Sequence, residues 1–168
     1  MTGWAALLRA VNVGGNNKIP MAELAALATR LGLEQARTYI ASGNLIFASD
    51  KGEGELCAMI EQAIAEQWGK PIGVLVRSAA ELADLIARNP WPDRPGNRVV
   101  ALFTDEPPSL DGVRHQDGEV LALGQREIYI DYGAGMAGSK LVLPAAKSGT
   151  ARNMNTVRKL AELSGVLA

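Results

Sequence analysis

The sequence predicts a mixed α/β (α+β) protein with a ferredoxin-like βαββαβ N-terminal half and a second, smaller α/β half. Short β-prone runs alternate with segments in which apolar residues recur at helical spacing. The first six of these elements follow the order β-α-β-β-α-β. Residues 89–97 then hold three prolines and a glycine, a composition typical of a boundary. We therefore expect residues 1–78 to form one subdomain and residues 79–168 a second one packed on it.

The first element is an apolar run over residues 4–13 that contains a single charge, Arg9. Such a run predicts a strand that is buried on both faces and central in its sheet. A cation inside that strand needs a partner, which is either an acid such as Glu23 or Asp131 or a bound anion. A glycine-asparagine loop ends the strand, and Pro20 suits the first turn of the helix that follows.

A hairpin and a second helix complete the first half. Residues 37–41 and 45–48 are β-prone and flank Ser42-Gly43-Asn44, which is typical of a tight turn. A helix is predicted over residues 54–68, and a strand over residues 72–77.

The second half continues the α and β pattern and ends in a helix. The alternation of residues along its second hairpin strand predicts that one face of that strand meets solvent. The predicted elements are a helix over 79–88, a strand over 98–104, a hairpin of 119–123 and 127–132, an irregular stretch over 133–149 and a helix over 153–164.

Composition excludes several classes of protein. The chain has 168 residues, of which 48% are hydrophobic and 21% charged, so it is not disordered. The formal net charge of -1 provides no long-range field for nucleic acid or anionic membranes. The single cysteine, Cys57, and the single histidine, His115, exclude an internal disulfide and the usual structural zinc site. Without a signal peptide or a long apolar stretch, the protein is expected to be cytoplasmic, with no membrane partner.

Three segments resemble the DUF1697 family of uncharacterised bacterial proteins. They are residues 7–19 (LLRAVNVGGNNKI), residues 37–44 (RTYIASGN) and residues 151–157 (ARNMNTV). The family pattern usually has Gly-Ile where this chain has Ala10-Val11, and Trp where it has Met154. Met fills a core gap as Trp does, but it donates no hydrogen bond. The resemblance implies a ferredoxin-like α/β architecture and implies no activity.

The loop after the first strand is the first candidate ligand site. Consecutive glycines allow backbone N–H groups to converge on an anion, and the start of a helix adds positive potential. The alternative is a tight turn that requires glycine and asparagine for its conformation alone. The loop lacks the spacing of a Walker motif. Its candidate ligand-binding residues are Asn12, Gly14, Gly15, Asn16, Asn17 and Lys18.

The turn Ser42-Gly43-Asn44 is the second candidate. Antiparallel pairing of the first and third strands would bring this turn close to the end of the first strand. Polar groups from two loops would then converge, as they do in small-molecule sites. The alternative is that the turn only closes the hairpin.

Two further groups are candidates for holding an anion. Gly133-x-Gly135-x-x-Gly138 matches the dinucleotide fingerprint, but Pro144 cuts short any following helix, so a Rossmann site is rejected. Lys140 beside this motif either binds phosphate or is solvated. At the last helix the candidates are Arg152, Asn153, Asn155 and Thr156, and the alternative there is N-capping by Asn153 or Thr150.

The function predicted from these residues is the binding of a small anionic or nucleotide-like ligand. No Ser-His-Asp or Cys-His arrangement is assembled by the sequence, so catalytic residues and cofactors are left open. The alternatives are a nucleic-acid-binding module, which the net charge disfavours, and a non-catalytic module for protein–protein contact or dimerisation. The oligomeric state is not predicted.

Overall fold

The protein is described here from a computed structural model, which covers residues 1–9 and 18–167. Two four-stranded antiparallel sheets and four α-helices lie in these ranges, which confirms the predicted mixed α and β class. The chain divides into two compact units, Met1–Leu82 with Lys159–Ala168, and Ala83–Arg158. The subdomain division expected at residue 78 stays a prediction.

The first unit contains the predicted β-α-β-β-α-β order, and its sheet has the strand order β2-β3-β1-β4. As expected, β1 and β3 are central antiparallel neighbours. The chain enters the second unit through α3 (Ala79–Ala87). The earlier elements are β1 (Thr2–Leu8), α1 (Met21–Arg30), β2 (Glu34–Thr38), β3 (Asn44–Ser49), α2 (Glu53–Trp68) and β4 (Val74–Ser78).

Local sequence explains where these helices begin and end. The first helix starts after Pro20, whose carbonyl accepts N–H groups of the first turn. Gly69 ends α2 in the left-handed conformation, which glycine adopts without steric cost. Leucines of α1, and leucine and isoleucine side chains of α2, contribute to the core on one face of the sheet, where Phe47 of β3 is also buried. That core fixes the position of the strand ends.

The second unit has a sheet with the strand order β6-β7-β5-β8. Its apolar cluster contains Val100, Leu102, Ile128, Ile130 and Leu143. Two 3-10 turns, Met136–Gly138 and Pro144–Lys147, occupy the stretch that the sequence predicts to be irregular. Its regular elements are β5 (Val99–Phe103), β6 (Val120–Leu123), β7 (Glu127–Asp131), β8 (Thr150–Asn153) and α4 (Met154–Gly165), the last of which returns to the first unit.

Two expectations for the second unit were wrong. The sequence analysis did not predict β8, because Thr-Ala-Arg-Asn is polar and too short to show a period. Pairing with β5 makes it a strand. The expected solvent-facing side of β7 is also wrong, since all five residues of this strand are buried. Glu127 accepts from Arg88 at 3.2 Å, and Tyr129 donates to the carbonyl of Leu85 at 2.7 Å.

No α-helix within the described ranges combines the length and the apolar character that a membrane crossing requires.

Candidate functional site

The end of β1 lies beside the predicted hairpin turn Ser42-Gly43-Asn44. Leu7 pairs with Asn44 of β3, and Leu8 pairs with Val74 of β4. The Leu8 N–H donates to the Gly43 carbonyl at 2.9 Å, so the hairpin turn lies beside the strand end. The predicted convergence of its polar groups with those of the loop at Asn12 stays a prediction, because Asn12 lies outside the described residues.

Arg9 follows β1 directly and is held against the start of β4. Its N–H donates to the carbonyl of Gly73 at 2.9 Å. The Arg9 side chain packs against Gly73 on the side where any residue other than glycine would have its Cβ. A Cβ built at residue 73 would lie 3.0 Å from the Arg9 Cδ. Arg9 is half-buried and outside the strand. The expectation of a cation within a buried strand was wrong, because the strand ends at Leu8, and Asp131 pairs with Arg94.

The turn Ser42-Gly43-Asn44 is closed by its own asparagine. Asn44 is fully buried, and its Nδ2 donates to the Tyr39 carbonyl at 3.0 Å and to the Ser42 Oγ at 3.1 Å. Gly43 has a φ of 87°, which explains why glycine stands there. The Asn44 side chain therefore closes the hairpin, as the alternative interpretation holds, and the half-buried Ser42 supplies one of the acceptors.

Ile40 in the same turn has an unusual backbone. Its φ is 52°, in the left-handed region that β-branched residues rarely adopt, and it is 50% exposed. The Tyr39 N–H, which donates to the Asn44 carbonyl at 3.0 Å, holds the turn in this conformation. Strain of this kind, of order 1–3 kcal/mol, is concentrated at functional sites in proteins generally.

A cleft of about 500 Å³ lies in the first unit between α2 and the segment that leads to β4. Gly73, the residue covered by Arg9, forms part of its lining. Glu61 is fixed at the same place, because its Oε1 accepts the Val74 N–H at 3.0 Å and the Cys57 thiol at 3.4 Å. The other lining residues are Ala58, Gln62, Ala65, Pro71 and Ile72.

The remaining predicted residues of the first unit follow Arg9 in the sequence. Lys18 is exposed shortly before α1. Asn12, Gly14, Gly15, Asn16 and Asn17 lie outside the described residues, and their role stays a prediction.

In the second unit, Arg152 is a strand residue of β8 and is buried. Its Nη1 donates to the Thr150 Oγ1 at 2.6 Å and to the Ala151 carbonyl at 2.9 Å. Burial lowers the pKa of the Arg152 guanidinium to about 10, because desolvation disfavours the charged form. Its proposed contact with a ligand stays a prediction.

The start of α4 is capped by Asn153. The Oδ1 of Asn153 accepts the Thr156 N–H at 2.9 Å, as the capping interpretation expects. The side chain of Thr156 is buried, whereas that of Asn155 is exposed. Asn153 thus has a structural role, and the role of Asn155 in ligand binding stays a prediction.

Lys140 is exposed at a second cleft, of about 530 Å³, in the second unit. The 3-10 turn at Met136–Gly138 stands where the dinucleotide fingerprint requires a full helix, in agreement with the rejected Rossmann site. His115 is exposed at the same cleft and has a φ of 58°. In the part of the chain that the structure describes, no three His, Cys, Asp or Glu side chains are grouped to hold a metal ion.

Comparison with known proteins identifies the family. Residues 1–129 match the sequence model of DUF1697, a protein family of unknown function. The chain belongs to the DUF1697 family. The third segment on which the resemblance was based, residues 151–157, lies beyond the matched residues.

A solved structure resembles this DUF1697 protein over nearly its full length. It is that of the conserved bacterial protein SP0830 from Streptococcus pneumoniae, with a TM-score of 0.79 and 28% sequence identity. The similarity covers 96% of this chain and 98% of that one. No protein among those with curated descriptions matches the chain.

Met154, where this DUF1697 protein departs from the family pattern, lies in the core. Met154 is fully buried as the first residue of α4, so it fills space there.

Sequence reasoning did not find Gly73, Glu61 or Glu119, because no motif surrounds these residues. Only their positions in space make them part of a cleft.

Proposed function

We propose that this protein binds a small anionic, nucleotide-like ligand at the end of β1. The single observation that carries the proposal is the contact of Arg9 with Gly73, a lining residue of the 500 Å³ cleft. The Arg9 side chain packs against Gly73, and a Cβ at residue 73 would come within 3.0 Å of the Arg9 Cδ. An arginine placed in this way is suited to a phosphate or carboxylate, which its planar guanidinium binds through two parallel hydrogen bonds.

The chain around Arg9 supports an anion at this position. Arg9 leads into residues 10–17, for which the sequence predicts an anion-binding glycine loop. On the other side, the turn at Gly43 is hydrogen-bonded to Leu8. Half-burial of Arg9 strengthens its electrostatic interactions relative to those of a fully solvated cation.

The cleft supports the nucleotide-like part of the proposal. Small-molecule sites have volumes of roughly 300–1,000 Å³ and mostly apolar walls with a few polar groups. Here Pro71 and Ile72 supply apolar surface, and Gln62 supplies an amide that can both donate and accept hydrogen bonds. The proposal places a planar ring against this wall, with its phosphate directed towards Arg9.

Calorimetric titration with inorganic phosphate, pyrophosphate and AMP tests the proposal. We expect AMP to bind more tightly than phosphate. The substitution Arg9→Gln should weaken the binding of both AMP and phosphate by at least about tenfold. The matched control is Lys51→Gln, which removes one positive charge from an exposed residue beyond the other end of β3. Equal loss in both variants, or no binding of any of the three probes, would overturn the proposal.

Nucleic-acid binding and dimerisation stay predictions from the sequence.

A further inference from the structure

The second unit contains a polar cleft that the proposed anion site does not use. An antiparallel bridge between Arg114 and Val142 holds two loops side by side, with N–H to carbonyl distances of 3.1 and 2.8 Å. The cleft of about 530 Å³ opens where these loops continue. Its lining includes His115, Asp117, Glu119, Tyr132, Ser139 and Lys140.

Glu119 is the most deeply buried charged residue of this lining. It is only 6% exposed. Its carboxylate accepts a hydrogen bond from the Ser139 hydroxyl and another, of 2.5 Å, from the Asp117 N–H. The backbone N–H of Glu119 itself is a third donor. A carboxylate has about four lone-pair sites, so these three bonds leave some acceptor capacity.

All three donors to Glu119 are neutral. The hydrogen bonds from Ser139, from the Asp117 N–H and from the Glu119 N–H hold the pKa of the Glu119 carboxyl below its usual range, so the group is ionised near neutral pH. An ionised carboxylate attracts an opposite charge. A cationic group of a ligand in the cleft would form an ion pair with it.

Tyr132 provides an aromatic wall next to the acid. Burial and the charge of Glu119 raise the pKa of the Tyr132 phenol, so the ring is neutral and electron-rich. Aromatic rings attract ammonium groups within about 6 Å of the ring centre. Tyr132 also lines an adjoining hollow of about 380 Å³ with Val100 and Leu141, which gives apolar space beyond the polar cleft.

The opposite charge is found at an exposed position of the lining. Lys140 is exposed. A largely buried acid and an exposed lysine within one cleft match a ligand that itself carries both charges.

We propose that this cleft binds a small amino-acid-like zwitterion, whose ammonium group ion-pairs with Glu119 beside the ring of Tyr132 and whose carboxylate meets Lys140. A divalent metal ion is a poorer occupant, because the described residues provide no group of three metal-binding side chains. The proposal rests on residues of the second unit alone and is independent of the anion site at Arg9.

An NMR titration of the backbone amides tests this proposal, with the twenty standard amino acids, putrescine and inorganic phosphate as separate probes. At least one amino acid should shift the amide signals of Asp117, Ser139 and Leu141 in a saturable way, and phosphate should not. No saturable shift with any amino acid, or a shift with phosphate alone, would overturn the proposal.

Single substitutions test the contacts of the ligand's ammonium group and of its carboxylate separately. Glu119→Gln keeps the shape and removes the charge, and it should weaken binding of the amino acid by at least about tenfold. The control Asp105→Asn removes an exposed charge that does not line the cleft and should leave binding unchanged. Unchanged binding in Glu119→Gln contradicts the proposal.

Two further substitutions keep the proposal testable if Glu119→Gln does not fold. Tyr132→Leu retains apolar volume but removes the ring, so binding should fall roughly fivefold. Lys140→Gln should weaken the binding of the amino acid and leave the binding of putrescine unchanged, since putrescine has no carboxylate. Equal binding of the amino acid with and without Lys140 would exclude the zwitterion.

Discussion

Arg9 and Gly73 are joined both through the backbone and through the side chain. The Arg9 N–H donates to the Gly73 carbonyl at 2.9 Å, and the Arg9 Cδ lies 3.0 Å from the point where a Gly73 Cβ would be. The absence of a side chain at residue 73 therefore leaves room for the Arg9 side chain to pack closely against the backbone.

Gly73→Ala should weaken anion binding with little loss of stability. The added methyl meets the flexible Arg9 side chain, which moves away instead of being compressed. We expect a fall of about threefold or more in phosphate affinity, measured by calorimetry, because placement by as little as one ångström affects charged contacts strongly. Gly54→Ala is the control, since its Cβ meets nothing within 4 Å. Equal phosphate affinity in Gly73→Ala and wild type would contradict the proposed contact between Arg9 and the ligand.

Asn44→Ala should destabilise the first unit. It removes two hydrogen bonds of a fully buried amide and leaves the Tyr39 carbonyl without one of its donors. The expected loss is about 1–3 kcal/mol in the free energy of unfolding, measured by urea denaturation. Ser42→Ala, which removes only one acceptor of this amide, should cost less. A larger loss in the serine variant would show that the turn is closed in another way.

Asn153→Ala should lower stability by about 1 kcal/mol, the usual effect of removing an N-cap. The reason is the lost bond from the Thr156 N–H, which is 2.9 Å long in the structure. Asn155→Ala is the matched control two residues away, because its side chain is exposed. Thermal unfolding of the two variants under the same conditions compares them, and equal melting temperatures would contradict the capping role.

Ser139→Ala should raise the pKa of Glu119. The serine hydroxyl is the largest cause of the lowered pKa of this carboxyl. A carboxyl whose pKa is lowered in the folded state contributes stability above its unfolded pKa and loses it as the pH falls through the folded one. The variant should therefore lose stability at higher pH than wild type on acidification.

The acid transition can be followed at Glu119 itself by NMR titration of its side-chain carboxyl carbon. Ser109→Ala is the control, because that hydroxyl accepts from Asp111 and does not contact Glu119. If the titration midpoint of Glu119 is the same in Ser139→Ala and in wild type, the Ser139 hydroxyl does not lower the pKa of Glu119.

The position of β1 could be predicted because its cause is local. An almost unbroken apolar run is stable only when both faces are covered, so the strand had to be central. The turn at Gly43 followed from the same kind of local requirement, since few residues other than glycine adopt its backbone conformation. The family was also predictable, because long motifs carry it.

The tertiary structure alone decided β8 and the two clefts. Thr-Ala-Arg-Asn has no apolar period, and it becomes a strand because β5 offers a partner edge. Gly73 and Glu119 acquire their places through residues distant in the chain, Arg9 and Ser139 respectively. The sequence by itself determined that β1 is buried and that the backbone turns at Gly43, since those preferences are carried by the residues of each segment alone. Contacts between distant residues depend on how segments pair and pack, which only the folded chain defines.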